Sequence, residues 1–173
     1  MAIAIDATAG GASSNSYSTL AEALTYMSGR LNSSLWDNAT TDSQNRALVS
    51  ASTELTALSW DGSRATTTQA LAWPRWAALN PDSPVGFLYT SDIVPDRVKN
   101  ATCELAFQYL VAGTTDIATL DPMLGIVGES VGPISVSYQP YQKPQGLARF
   151  PSVMRFIRPL LSSVANSTPI LRG

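Results

Sequence analysis

The chain has 173 residues, 45% hydrophobic and 14% charged, with a net charge of −2 and a pI near 4.9. This predicts one domain with enough apolar content for a core, and no apolar run approaches the ~20 residues of a membrane-spanning helix. With no histidine and a single cysteine, Cys103, the composition excludes an intrachain disulfide, a Ser–His or Cys–His couple and an ordinary zinc site, while Lys99 and Lys143 leave a lysine-based chemistry thin.

Residues 1–16 are rich in Ala, Gly and Ser. A short extended piece over Ala2–Asp6 is expected, followed by a turn at Gly10–Asn15. Met1–Asp6 lacks the basic-then-apolar order of a secretory signal, so the Asn-x-Ser/Thr triplets at Asn32, Asn38, Asn100 and Asn166 read as accidental. Thr19-Leu20-Ala21-Glu22 predicts a capping box, in which hydroxyl and carboxylate satisfy orphan amides at a helix start. Leu20, Leu24, Met27 and Leu31 then recur on one helical face, and the helix is expected to end near Asn32. Leu35-Trp36 bridges to a second helix. Thr41-Asp42-Ser43-Gln44 predicts another capping box there, with Leu48, Ala51, Leu55 and Leu58 as the apolar stripe.

Asp61-Gly62 marks a turn, and a long loop follows from about Trp60 to Asp92. Pro74, Pro81 and Pro84 forbid long regular structure in it, although Gln69–Ala72 has room for one helical turn. Trp73 stands directly before Pro74, which disfavours a helical backbone. Together with Trp60 and Trp76 it predicts an apolar knot that fixes the loop to a helical body. Pro95 suits the first turn of a third helix ending at Gly113. Val98, Ala101, Thr102, Leu105, Ala106 and Tyr109, widened by Phe107 and Leu110, make that helix apolar on most sides and therefore central. A further helical turn is expected over Asp116–Leu120.

After Gly125 the period changes. Ile134, Val136 and Tyr138 alternate with Ser135 and Ser137, which predicts a strand paired to Gly125–Ser130 across Gly132-Pro133. Such a ribbon is marginal in water alone and would be steadied by the body or by a neighbouring subunit. Pro140, Pro144 and Gly146 form a linker. Pro151 opens a short helix through Ile157, with Met154 and Ile157 as its apolar side, before Pro159 and a loose end over Ser162–Gly173. From Gly128 to Gly173 five cations (Lys143, Arg149, Arg155, Arg158, Arg172) face only Glu129, giving +4, so the other 127 residues carry −6. A basic tail on an acidic body suggests a partner of its own.

The expected architecture is mainly α: a small bundle of three to four helices with a long Trp/Pro loop, a short β-hairpin and an extended C-terminal arm. It divides into an N-terminal arm (1–16), a helical core domain (17–124) and a hairpin with docking arm (125–173).

Several strings taken in order resemble one family of tailed-bacteriophage proteins. They are Asn15-Ser16-Tyr17 before Thr19–Ala23, Trp36-Asp37 with Thr41, and Gln69-Ala70-Leu71-Ala72-Trp73-Pro74-Arg75. Then follow Val94-Pro95, Ala101 with Glu104-Leu105-Ala106, and Val131-Gly132-Pro133-Ile134-Ser135-Val136-Ser137-Tyr138. In this order, over Asn15 to Arg158, they resemble head–tail connector (adaptor) proteins, some relatives of which carry a primosomal, single-stranded-DNA-binding-like label. The chain departs from the pattern at Asp61, where a basic residue is expected, and over Met1–Gly11.

The resemblance implies a virion protein of the neck, made in the host cytoplasm, that closes a ring of about twelve copies beneath the portal. The ring extends the DNA channel and carries the tail or a stopper protein. It implies no enzyme activity, no cofactor, no metal and no membrane. On that view Ile134, Val136 and Tyr138 form an interface strand added to a neighbour's sheet edge. Phe150, Met154, Phe156 and Ile157, flanked by Arg149, Arg155 and Arg158, form a docking element for the portal or the adjacent subunit. An acidic wall would let duplex DNA slide through without specific binding.

The same residues admit other readings. The Trp cluster is either a platform for stacked bases or a fastening of the loop to the core; with only Arg64 and Arg75 nearby, fastening is favoured. The C-terminal arginines suit phosphates, acidic protein partners or plain solvation. Cys103 reads as a small core residue. Asp116, Asp121 and Glu129 suit a divalent cation or solvent, and solvent is the commoner fate. The alternative to a connector is therefore a single-stranded-DNA-binding module of phage replication.

Overall fold

The computed structural model describes residues 3–115, 128–131, 134–137 and 146–162. Five helices are found among them: α1 (Leu20–Ser28), α2 (Ser34–Asp37), α3 (Thr41–Thr56), α4 (Asp96–Ala112) and α5 (Pro151–Ile157). Two small antiparallel ribbons accompany them, β1 (Ser63–Arg64) with β2 (Arg75–Trp76), and β3 (Gly128–Val131) with β4 (Ile134–Ser137). The mainly helical class expected from the sequence is what is seen.

α4 is the central element. It packs most extensively on α3 and α5 and also touches α1 and α2. Val98, Ala101, Thr102, Cys103, Leu105, Ala106, Phe107 and Tyr109 are all buried along it, as the circumferential apolar pattern predicts. Its end is set by Gly113 in the left-handed conformation, which glycine reaches without a Cβ clash. Facing it, α3 buries Leu48, Ala51 and Leu55; each large aliphatic side chain fully removed from water contributes about 1.5–3 kcal/mol before entropy is counted.

The predicted capping box at the start of α1 is present. Thr19 accepts from the Glu22 amide at 3.2 Å, and the Glu22 carboxylate accepts from the Thr19 amide at 2.7 Å. The rest of α1 departs from expectation. It ends at Ser28, before Gly29, and buries Ala23 and Met27, whereas Leu24 and Leu31 face solvent. The buried stripe is therefore offset from the leucines, with Leu20 only half-buried at its edge. The second capping box is not formed. Thr40, one residue earlier, caps α3 by accepting from the Ser43 amide, and Gln44 instead donates to the Trp36 carbonyl at 2.9 Å. That bond ties α3 to α2, on which Trp36 is wholly buried. Gln69–Ala72 forms bends rather than a helical turn.

The N-terminal residues are tied to the body. Ile3 donates to Asp42 and accepts from Asn45, and the Gly11 carbonyl accepts from the Ala70 amide. Between them, Asp6 gathers Thr8, Ser13 and Asn15 into a compact turn. At the other end, Leu147, Val153, Ile157 and Leu160 are buried and α5 lies on α4. The chain then returns to the Trp loop, where Trp60 and Leu161 pair, Asp61 donates to Leu160, and Ser162 donates to Ser59. The expected hairpin is present, with Val131 opposite Ile134 and Gly128 opposite Ser137. Tyr138, the expected turn at Asp116–Leu120 and the end beyond Ser162 lie outside the described residues.

Candidate functional site

The Trp/Pro loop is built around one inward-turned guanidinium. Arg75 is only 9% exposed, and it donates to four carbonyls: Asp61 (2.7 Å), Gly62 (2.6 Å), Ala72 (3.1 Å) and Trp60 (3.4 Å). Burial lowers its pKa from the usual arginine value. Gly62 accepts this close approach because its φ is +71° and a Cβ there would run into the Trp76 carbonyl. Gln69 holds the other side, donating to the Leu71 and Pro74 carbonyls and accepting from the Thr66 amide. Tyr17 reaches in from the start of the body to bond Thr56 and the Ala72 amide.

The aromatic rings then close the knot. Trp60 and Trp73 meet edge to face at 5.7 Å, as do Trp73 and Tyr89 at 5.9 Å, and the Trp73–Pro74 peptide is cis. Trp60 donates its indole N–H to Leu55 at the end of α3. Trp60 and Trp73 are thus core residues, and the fastening role expected of the cluster holds for them. Trp76 differs: it stays mostly exposed, its indole N–H donating to the Ala65 carbonyl. Arg75, counted from the sequence among the bases near the Trp cluster, is withdrawn from any phosphate by its four carbonyls.

Each remaining cation of the helical body has a partner, although Arg46 and Arg64 stay exposed. Glu104, inside the bundle, is met by Arg30 Nε at 3.1 Å and by the Tyr26 hydroxyl at 2.8 Å, and Arg30 lies over the Phe107 ring at 3.9 Å. Burial, reinforced by Glu104, pushes the Tyr26 hydroxyl far up in pKa. Lys99 pairs with Glu22 at 2.6 Å, Arg46 with Asp42 at 2.8 Å, and Arg97 with Asp82. Arg64 donates to the Gln69 carbonyl.

An open groove of about 450 Å³ runs between α1 and α4, lined by Ser18, Ala21, Glu22, Tyr26, Lys99 and Cys103. Within it Lys99 donates to Glu22 and the Cys103 thiol donates to the Ser18 hydroxyl. Burial pushes the Cys103 thiol up to about 12, so it is a protonated core group and not a nucleophile. Among the described residues, no group of three His, Cys, Asp or Glu is placed to hold a metal. Glu129 lies on β3, whereas Asp116 and Asp121 fall outside the described residues.

The interface residues predicted from the sequence fall into three sets. Ile134 and Val136 lie on β4, and Tyr138 is outside the described residues. Ile157 is fully buried against the body, so it is part of the core and not free to reach another molecule; Phe150, Met154 and Phe156 are half-buried, Phe156 meeting Tyr26 edge to face at 6.4 Å. Arg155 and Arg158 are exposed, and Arg149 is half-buried. The Leu147, Val153, Ile157 and Leu160 spacing was the signal that this segment packs inward.

The Trp/Pro loop also presents an apolar surface that no motif in the sequence marks. Trp76, Leu79, Val85, Phe87, Leu88 and Ile93 are all large and largely exposed. No periodicity marks them; only their density in a loop could have drawn attention.

A family model described as "putative DnaT-like ssDNA binding protein" matches residues 1–173. No curated protein and no solved structure matches the chain.

Proposed function

The chain belongs to this DnaT-like family, and within it we propose that it works as an assembling structural subunit, a head–tail connector that joins copies of itself and a portal ring through protein contacts. The observation that carries this reading is the fate of the cations. In residues 3–115, Arg30, Arg46, Arg97 and Lys99 are ion-paired, Arg75 is enclosed by carbonyls, and Arg64 alone is exposed with only a bond to the loop backbone. A track for single strands needs cations free to meet successive phosphates beside stacking aromatics. The exposed loop surface offers apolar side chains with Asp82 and Asp92 beside them, which suits protein contact better. The ring of about twelve copies, the stopper or tail partner, the duplex passing through and the neck location are parts of this proposal that rest on the sequence resemblance.

A second reading is a single-stranded-DNA-binding module of replication. The family's description favours it directly and says nothing of a virion. Exposed Trp76 and Phe87 are surfaces on which bases can stack, and Arg155 and Arg158 are exposed cations. Two binding experiments separate the readings: anisotropy of a labelled oligonucleotide over a salt series, and co-sedimentation with purified portal rings. The connector reading expects weak oligonucleotide binding at moderate salt and co-sedimentation with portal. Tight binding that falls steeply with salt, with no portal association, would replace it by the second reading.

A further inference from the structure

Between Trp76 and Ile93 the chain leaves the core and doubles back as a tongue. Asn80 donates to Phe87 at 3.0 Å, Tyr89 donates to Ala78 at 2.9 Å, and Leu79 bridges Leu88. Arg97, in the first turn of α4, grips Asp82 near the tip, with Nε at 2.6 Å from the carboxylate. Tyr89 anchors the base against Trp73. The tongue is therefore braced, yet Val85 is 67% and Phe87 68% exposed at its tip. A pre-ordered element that presents large apolar side chains loses little entropy when it is covered.

Charge points to what covers it. From Ala77 to Pro95 the tongue carries no cation of its own; Asp82 is held by Arg97, and exposed Asp92 has no ion-pair partner among the described residues. From Gly146 to Ser162 the pattern inverts, with Arg149, Arg155 and Arg158 and no carboxylate. Arg155 and Arg158 are exposed, without an ion-pair partner among the described residues, and Arg155 lies 5.1 Å above the half-buried Phe156 ring. One chain thus displays an acidic apolar projection and a basic aromatic face.

We propose that the tongue docks on the α5 face of a second copy of this chain, its Phe87 tip against the Phe156 edge and its Asp92 side toward Arg155 and Arg158. Because the two surfaces differ, the contact is heterologous: it propagates head to tail and closes only if the rotation between copies allows. This deepens the connector reading, and rests on it, by naming the subunit–subunit contact.

The test is sedimentation velocity on the full chain at rising concentration, with three variants and a mixture. Phe87→Asp disables the tongue, Phe87→Ser does so without added charge, and Arg155→Glu with Arg158→Glu disables the α5 face. All substitutions lie at exposed positions, and circular dichroism checks that each variant folds. Wild type is expected to associate, and each variant to associate at least ~10-fold more weakly. An equimolar mixture of Phe87→Asp with the double arginine variant, which together hold one intact copy of each surface, is expected to stop at a heterodimer. A mixture that stays monomeric, or tongue variants that associate like wild type, overturns the inference. So does a wild-type chain that remains monomeric at every concentration; if that chain still co-sediments with portal, the connector reading survives, and if it does not, both fall. Loss of oligonucleotide binding in Phe87→Ser with unchanged self-association would assign the tongue to nucleic acid instead.

Discussion

Arg75→Met strips four carbonyls of one shared donor while keeping a long apolar stem in the knot. Two of these bonds, to Trp60 and Ala72, are buried; those to Asp61 and Gly62 are partly open to water. A buried acceptor left unmet costs about 1–3 kcal/mol, and an accessible one is largely rehydrated. No carboxylate is left without its cation, so the loss should stay below that of a broken buried ion pair, about 3–5 kcal/mol. The expected destabilisation is ~2–4 kcal/mol, a large share of the ~5–15 kcal/mol typical of a domain. Urea unfolding followed by tryptophan fluorescence measures it, with an unchanged denaturant slope showing that stability and not compactness has altered. Arg75→Lys should recover less than half, because one ammonium cannot span carbonyls arranged for a planar fork. A Met variant within about 0.5 kcal/mol of wild type would refute the role given to this guanidinium.

Acid should destabilise the fold in a defined window. Hydrogen bonds from Thr8 hold Asp6 below the usual carboxylate range, Arg46 does so for Asp42, and Arg97 does so for Asp82. At Glu22 burial acts upward, but bonds from Lys99 and Thr19 outweigh it and its pKa is also lowered. Depressed folded values contribute stability that is complete above the unfolded ones, 3.8 for Asp and 4.5 for Glu, and is lost as pH falls through the folded ones. The urea midpoint should therefore hold from neutral pH to about 5 and fall below about 4; a fall confined to the range above 5 would point to other groups. Cys103 should resist a thiol reagent in the native protein at about pH 8 and react on unfolding. Rapid native labelling would mean that the α1–α4 groove opens far more than its packing implies.

Much of the fold was legible because it rests on local chemistry. The Thr19–Glu22 box, the Pro95 start and Gly113 stop of α4, the Pro151 start of α5 and the Ile134–Ser137 strand each follow from one or two residues with a strong conformational reason. What was misread depends on partners distant in sequence. Thr40 and Thr41 offer the same hydroxyl, and the choice between them is linked to Gln44 being drawn to Trp36. Leu24 and Leu31 look like core by spacing, yet the face turned to α4 is the one that carries Ala23 and Met27. The α5 segment, expected to belong to a docking arm, puts Val153 and Ile157 into the core and leaves its arginine-bearing side outward. Arg75 is the sharpest case: nothing near it in sequence distinguishes a cation turned into a ring of carbonyls from one turned to solvent.

Sedimentation velocity of the full chain over a concentration series, with and without a single-stranded oligonucleotide at moderate salt, tests assembly by protein surfaces most directly. Concentration-dependent growth that the oligonucleotide leaves unchanged is the predicted result. A chain that stays monomeric alone and gains mass only with the oligonucleotide would contradict it.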